Sequence, residues 1–386
     1  MIGVMTRSLA TNRHLDWEIL EEWIKEIASD LISPNYLKEF ETIVISCTYA
    51  HFHTGGTSDH RRVYQLRALA FIYIVSAYLA DYPIDLNTLH MCCNMCYDQQ
   101  QIIQAIYEAV DWLGPSKPIE PMTVKQKIVD SGNTRCDLVQ CGTEYMVRKR
   151  IRHTSDMVPA YDAMVELVAH YLLKTTEARN IAMLLHVKID SHFTYLYYEY
   201  VKTPLSKLFC SDTGTIRRLV SSLLHGVRSL HSVGIAHRDL KSANIHVHSN
   251  RQVMLLDLGA AGHGLVRSTI PVCTITHRSP EILLAEVSGL VSLRYDGKKL
   301  DMWSIGVLLI ELYTGANPFG TISTDTTPQE LLGLIRRTLP SIMLKMKGLL
   351  PASQFTYFTR CMQEDPLERP TIEVLLLAFG YMVETK

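Results

Sequence analysis

The sequence has no excess of either charge, no apolar stretch long enough for a bilayer, and no repeated or low-complexity segment. Each absence removes a class of function. Lys and Arg number 38 against 39 Asp and Glu, a formal net charge of -1 with 20% charged residues. Such a balance offers no basic field to draw in nucleic acid or an anionic membrane, so neither is expected as a partner. The longest apolar run, Ala68 to Ala80, is interrupted by Ser76 and falls short of the ~20 residues a membrane helix needs. The first residues lack the charged-then-apolar pattern of a secretory signal, which predicts an intracellular protein, cytoplasmic or nuclear. Nine cysteines, an odd number, then read as reduced thiols rather than a disulfide framework. His90, Cys92, Cys93 and Cys96 have zinc-type donors with a C-x-x-C spacing, but no second ligand pair follows. Small apolar fillers on a buried helix are the favoured reading of that cluster.

At 386 residues the chain exceeds the size at which a single core stops growing, so more than one domain is expected. After a tail over 1–14, the region 15–113 is patterned for helices. Apolar residues recur at three- and four-residue spacing in Trp23, Ile24, Ile27 and Leu31, and again in Ile102, Ile103, Ile106, Val110 and Leu113. Loop punctuation at Ser33–Pro34, Gly55–Ser58 and Tyr82–Pro83 divides this region into about five helices. Gly114 to Pro121 contains three prolines in eight residues, cannot continue a helix, and reads as a stiff linker over 114–124. Beyond it come β-like runs at Asp137–Gln140 and Glu144–Ile151, a helix near Ala160–Lys174, and a strand ending at Tyr195–Tyr200. From Val201 the pattern is mainly helical, with Leu300–Tyr313 apolar enough for a core helix.

The most informative stretch is His237, Arg238, Asp239, Leu240, Lys241, Ser242, Ala243, Asn244, followed by Asp257, Leu258, Gly259 beyond two strand-like runs. This ordered set resembles the catalytic core of protein kinases, whose H-R-D-L-K-x-x-N and D-x-G motifs move a phosphoryl group. The resemblance implies an α+β two-lobed kinase fold over 125–386, with a small lobe at 125–200 and a large lobe at 201–386. It implies ATP and Mg²⁺ as cofactors and Ser/Thr residues of proteins as substrates, Lys241 favouring Ser/Thr over Tyr. By the same resemblance Asp239 would accept the substrate hydroxyl proton, Lys241 would steady the transferring group, and Asn244 and Asp257 would hold Mg²⁺.

Four places resemble the cyclin-dependent kinases in particular. Leu196–Val201 looks like that family's hinge, with Tyr198 as gatekeeper and Glu199 and Val201 offering backbone groups to adenine. Cys273–Glu281 looks like the end of its activation segment, including Thr274, with Arg278 where proline-directed members carry an arginine. Glu330 to Pro340 resembles the family's extra segment, and Val158 to Glu166 its regulatory helix. Glu166 would pair with a strand lysine over the ATP phosphates. Period two puts Val147 and Lys149 on one face, with Val147 beside adenine, and Arg148 is the alternative cation. Asp301 resembles the aspartate that braces the catalytic loop, and Arg369 would form a buried pair with Glu281.

The helical region 15–113 resembles a cyclin box, with Leu20–Ile27 as its opening, although a generic bundle fits the apolar pattern too. The whole would be an all-α cyclin-box-like domain ahead of a kinase. A compact fused pair of this kind suggests a viral source.

The departures are as telling as the matches. Val129–Arg135 holds Gly132 alone where the family has several phosphate-covering glycines, and His246 stands where an apolar residue floors adenine. The activation-segment threonine would be Thr269, yet of the arginines that read its phosphate only Arg238 is present, Val165 and Gly262 occupying the other positions. Ala77 and Ile106 replace the charged residues with which cyclins engage kinases. Because a tethered partner needs weaker contacts, the expectation is a Ser/Thr kinase activated in cis by its own cyclin-like domain. The rivals are a pseudokinase scaffold, whose first domain captures another kinase or a regulator, and a kinase whose first domain recruits substrate.

Overall fold

The computed structural model describes residues 17–32, 37–54, 61–80, 84–92, 97–115, 121–154, 158–174, 176, 178–208, 212–248, 251–268, 273–290, 293–319, 322 and 326–380. Cys93 and Cys96 of the zinc reading, and Thr269, lie outside them. The chain forms two compact units, one reaching to Tyr171 and including Met183–Tyr200, the other made of Leu172–Ala182 and the residues from Val201 onward.

In the first unit, helices α1 (Trp17–Leu31), α2 (Leu37–Thr54), α3 (Arg61–Ala80), α4 (Leu86–Cys92) and α5 (Gln99–Leu113) form a bundle. The apolar spacing of α1 places Leu20, Trp23, Ile24 and Ile27 out of solvent, and α2 adds Phe40, Val44 and Cys47. Helix α3 is buried without a break from Ala68 to Leu79, the signature of a helix covered on every side. The Ser76 hydroxyl within that stretch is satisfied: it donates to the Tyr73 carbonyl and accepts the Ile84 N–H. Helix α5 begins with a reciprocal capping box between Asp98 and Gln101 and buries Ile102, Ile106, Val110 and Leu113. Ala77 and Ile106, expected on a contact surface short of charge, are both fully buried, so their apolar character meets a packing demand.

The sheet of this unit has strands β1 (Thr123–Asp130), β2 (Thr134–Cys141), β3 (Glu144–Arg152), then helix α6 (Tyr161–Leu173), then β4 (Leu184–Ile189) and β5 (Phe193–Glu199). The strand order is β1-β2-β3-β5-β4, with every neighbouring pair antiparallel. Strand β1 is a correction to the sequence reading, which gave its first residues to the linker and its end to a glycine loop. All eight of its residues are exposed, so it carries no inward-facing apolar row by which to recognise it.

Within this unit the bundle packs on the sheet and on α6. The Trp112 ring centroid lies 5.5 Å from that of Phe71 and 5.7 Å from that of Tyr171 on α6. The Tyr107 hydroxyl lies 3.2 Å from His153 Nδ1, and Nε2 of the same imidazole lies 3.1 Å from Thr194 Oγ1 on β5. Cys47 on α2 shares a hydrogen bond with Tyr171. A Cβ on Gly114 would stand 2.7 Å from the Cβ of Val187, so only glycine permits this approach to β4.

In the second unit, strand β6 (Thr203–Pro204) is followed by helix α7 (Thr213–Ser232), capped by Asp212, whose carboxylate accepts the N–H groups of Gly214 and Thr215. Short strands β7 (Ile235–Ala236), β8 (Ile245–Val247) and β9 (Val253–Leu255) flank the catalytic-type motifs. Helices α8 (Pro280–Val287), α9 (Gly297–Thr314), α10 (Pro328–Leu349), α11 (Ala352–Cys361) and α12 (Ile372–Phe379) follow. Helix α9 is buried from Leu300 to Ile310 and forms the core of the unit. The segment read as an insertion around Glu330–Pro340 is one helix, started by a capping box between Thr327 and Glu330 and containing Pro340.

Candidate active site

Asp301, fully buried on the core helix α9, organises the loop after β7. Its carboxylate accepts the N–H groups of His237 and Arg238, each at 2.8 Å, and lies 2.8 Å from His231 Nε2. Two backbone donors fixed by one buried carboxylate hold Arg238 in the left-handed region, at φ 65°, where a non-glycine residue is strained. The next residue is Asp239. Its Oδ1 accepts the Thr274 N–H at 3.0 Å and the Thr274 hydroxyl at 2.7 Å. Its Oδ2 accepts Lys241 Nζ at 2.7 Å and Asn244 Nδ2 at 3.0 Å. Four donors on two oxygens fix the plane of this carboxylate while leaving it part-exposed, which suits a group that receives a proton from a bound hydroxyl.

Lys241 Nζ also donates to Thr274 Oγ1 at 2.7 Å, so lysine, aspartate and threonine close a ring. Asn244 spends its amide N–H on Asp239, which turns its carbonyl oxygen elsewhere. The Leu256 N–H donates to the backbone carbonyl of Asn244 at 2.9 Å, bringing Asp257 beside Asn244. Asp257 is exposed and held at φ 64°. An amide oxygen and a carboxylate are hard oxygen donors, and their number suits a cation such as Mg²⁺ that keeps several waters. The donor set therefore fits the ion.

The remaining predicted residues of this unit lie as follows. Glu281 accepts two bonds from Arg369, at 2.7 and 2.6 Å, and the buried guanidinium also donates to the carbonyls of Lys299, Gln363 and Glu364. Arg278 donates to the Cys273 carbonyl and pairs with Glu286 at 2.8 Å. Arg238 is fully buried, with its guanidinium bonded inside the unit. It donates to the carbonyls of Ala260 and Ala261 and to the Tyr295 hydroxyl, at 2.6, 3.3 and 3.3 Å. His246 Nδ1 lies 2.5 Å from the carbonyl of Val201, so this imidazole engages a backbone acceptor that adenine was expected to meet.

In the first unit, Lys149 Nζ donates to Glu166 Oε2 at 2.7 Å. Arg148, the alternative cation, instead binds Asp137 Oδ2 at 2.9 Å, while Arg135 takes Oδ1 at 2.8 Å. Asp137 is fully buried; burial opposes its charge, but the two guanidinium bonds prevail and hold its carboxyl below the ordinary range. Val147, half-buried, lies opposite Tyr198 on β5. Tyr198 adds a contact that sequence reasoning missed: its hydroxyl donates to Glu166 Oε1 at 2.7 Å. Glu199 ends β5, half-buried, opposite Met146.

Gly132 sits at the tip of the β1–β2 turn at φ 83°, a conformation that favours glycine, with nothing within 4 Å of where a Cβ would stand. Its N–H donates to Asp130 Oδ1 at 3.3 Å. The amide predicted to approach a phosphate is thus engaged by an acid of its own turn.

Comparison with known proteins bears on the same region. The protein kinase domain family model matches residues 139–378. A probable cell division protein kinase of Encephalitozoon cuniculi is 32% identical over 217 residues, covering 55% of this chain and 64% of that protein. The human mitogen-activated protein kinase 13 is 30% identical over 186 residues, 46% of this chain and 48% of the relative. The cell division control protein 2 homolog 1 of Trypanosoma brucei brucei is 33% identical over 156 residues, 38% of this chain and 50% of the relative. The chain thus spans less than two thirds of the length of each of these relatives.

Proposed function

The chain belongs to the protein kinase family, and from that membership we propose that it transfers the γ-phosphoryl group of ATP to serine or threonine hydroxyls of proteins. The observation that carries this reading is the fully oriented Asp239, tied to Lys241, Asn244 and Thr274. A scaffold that merely retained the fold has no chemical need for that arrangement together with the Lys149–Glu166 pair.

Asp239 accepts the proton of the attacking hydroxyl, and Lys241 neutralises charge on the transferring group. Asn244 and Asp257 would hold Mg²⁺, which would withdraw charge from phosphate oxygens. By the same resemblance Lys149, kept in place by Glu166, is the cation for the phosphates. The backbone of Glu199 and Val201 and the side chain of Val147 receive adenine. His246 beside the Val201 carbonyl and Asp130 on the Gly132 amide both weaken nucleotide binding relative to a chain with a free hinge and a glycine-rich loop. By resemblance of Arg278, the favoured targets are Ser or Thr before Pro.

The helical bundle acts in cis as a cyclin-like activator. Supporting this, Trp112, Cys47 and Tyr107 bring α5 and α2 against Tyr171 and His153, at the end of α6 and just past β3. Helix α6 carries Glu166, so what restrains α6 also restrains the partner of Lys149.

An assay with ATP, Mg²⁺ and a generic protein substrate tests the reading. Turnover by the full chain should fall at least about a hundredfold in Asp239→Asn and in Asp257→Ala. Turnover equal to wild type in both variants would overturn it, and absence of turnover in the wild type would favour the scaffold.

A further inference from the structure

Glu166 is fully buried, and a carboxylate in that setting keeps its charge only if both oxygens find donors. One oxygen, Oε2, accepts Lys149 Nζ; the other, Oε1, accepts the Tyr198 hydroxyl, each at 2.7 Å. The two donors come from adjacent strands. Lys149 on β3 lies opposite Leu196 on β5, and Val147 lies opposite Tyr198. Since side chains alternate along a strand, Val147, Lys149, Leu196 and Tyr198 share one face of the sheet. Helix α6 is therefore bonded to the sheet at two points through a single side chain.

The surroundings keep the phenol in place. His170, one turn beyond Glu166 on α6, is buried, and its ring centroid lies 5.6 Å from that of Tyr198. Burial, helped by the Lys149 ammonium, holds this imidazole neutral, so it walls the phenol without competing for the carboxylate.

We infer that Tyr198 is a positioning residue for phosphoryl transfer, its hydroxyl holding Glu166 turned toward Lys149. The inference rests on the kinase reading and deepens it. A lysine paired to a carboxylate that is free to rotate spends part of its time misdirected. The loss falls on the step that needs the cation, not on adenine binding. The hydroxyl thus does from inside the sheet part of what a docked activator does from outside: it holds α6 in its productive place.

Tyr198→Phe keeps the ring and deletes only the hydroxyl, so the experiment is the steady-state kinetics of the full chain carrying this change. Expected is a fall of about tenfold in kcat, with KM for ATP changed less than about twofold and a melting transition that is lowered, because one buried carboxylate oxygen loses its donor, but still cooperative. In a Glu166→Gln background the same change should cost less than about twofold more, because the group it positions is already altered. Wild-type kcat in Tyr198→Phe overturns the inference, as does full additivity with Glu166→Gln. Wild-type turnover that disappears in Asp257→Ala is measured first. Should the wild type have none, the kinase reading fails by itself, and the inference is judged on Lys149. A lysine less constantly held by its carboxylate meets reagents more often, so acylation of Lys149 by an amine-reactive ester, followed by mass spectrometry, should be faster in Tyr198→Phe. An unchanged rate overturns it.

Discussion

Gly262 makes room for Arg238: a Cβ at that glycine would stand 3.0 Å from the guanidinium carbon and from Nε. The arginine uses that space to reach the carbonyls of Ala260 and Ala261 and the Tyr295 hydroxyl. A guanidinium fully buried and bonded in this way would have to abandon three acceptors to meet a phosphate. Activation-segment phosphorylation is therefore not expected to govern activity. Thr269→Ala should retain kcat within about tenfold of wild type, whereas an activating phosphothreonine would make the loss far larger. Kinetics on protein treated with phosphatase provides the check.

The ring of Lys241, Asp239 and Thr274 makes a second prediction. Thr274→Val preserves shape but deletes the hydroxyl that bonds both charged groups. Roughly ten- to a hundredfold of kcat should disappear while KM for ATP stays near wild type, the size expected when a general base loses its orientation. Equal loss in KM and kcat would point to a disturbed fold instead.

Trp112 bridges Phe71 of the bundle and Tyr171 of α6, and it is only half-buried. Trp112→Ala should cost about 2–3 kcal/mol of stability, less than a fully buried tryptophan, and should lower kcat as well. Removing residues 1–120 altogether should reduce turnover more than about tenfold, because no partner at ordinary concentration replaces a tethered one. A truncated chain with full activity would remove the activator role from the bundle.

Two buried imidazoles contribute to acid sensitivity. Burial lowers His170 to about 3 and His277 to about 4, against an ordinary value of 6.5. Below 6.5 the unfolded chain takes up protons that the folded chain refuses. The stability these groups contribute is thus whole above pH 6.5 and is lost as pH falls toward 4. The slope approaches about 1.4 kcal/mol per pH unit for each group. His170→Leu should flatten the decline in melting temperature between about pH 7 and pH 5, as thermal unfolding across that range would reveal. Parallel profiles for the two proteins would count against this origin.

The sequence was legible wherever burial imposes a repeat. The spacing of Trp23, Ile24 and Ile27, and of Ile102, Ile106 and Val110, foretold the faces that α1 and α5 bury, because packing demands apolar residues at each turn. The short strands around Ile245–Val247 and Val253–Leu255 stood out between polar motifs for the same reason. Strand β1, exposed at every residue, obeys no such demand and passed for linker and loop. Polar partnerships were the least legible. Period two put Lys149 and Val147 on one face, yet nothing local showed that Arg148 would turn to Asp137, or that Tyr198 would reach Glu166. Those choices depend on residues 11 and 32 positions away in the chain, which only the fold brings together.

The hydrogen bond between Cys47 and Tyr171 has a practical side. Burial pushes the Cys47 thiol up to about 12, so at neutral pH it stays in the protonated form, which reacts poorly with alkylating reagents. In the packed first unit this sulfur is chemically silent. Once the bundle parts from α6, water reaches it and its reactivity returns toward that of a free cysteine. The chain thus carries an indicator of its own docking, readable at one residue as a rate of alkylation.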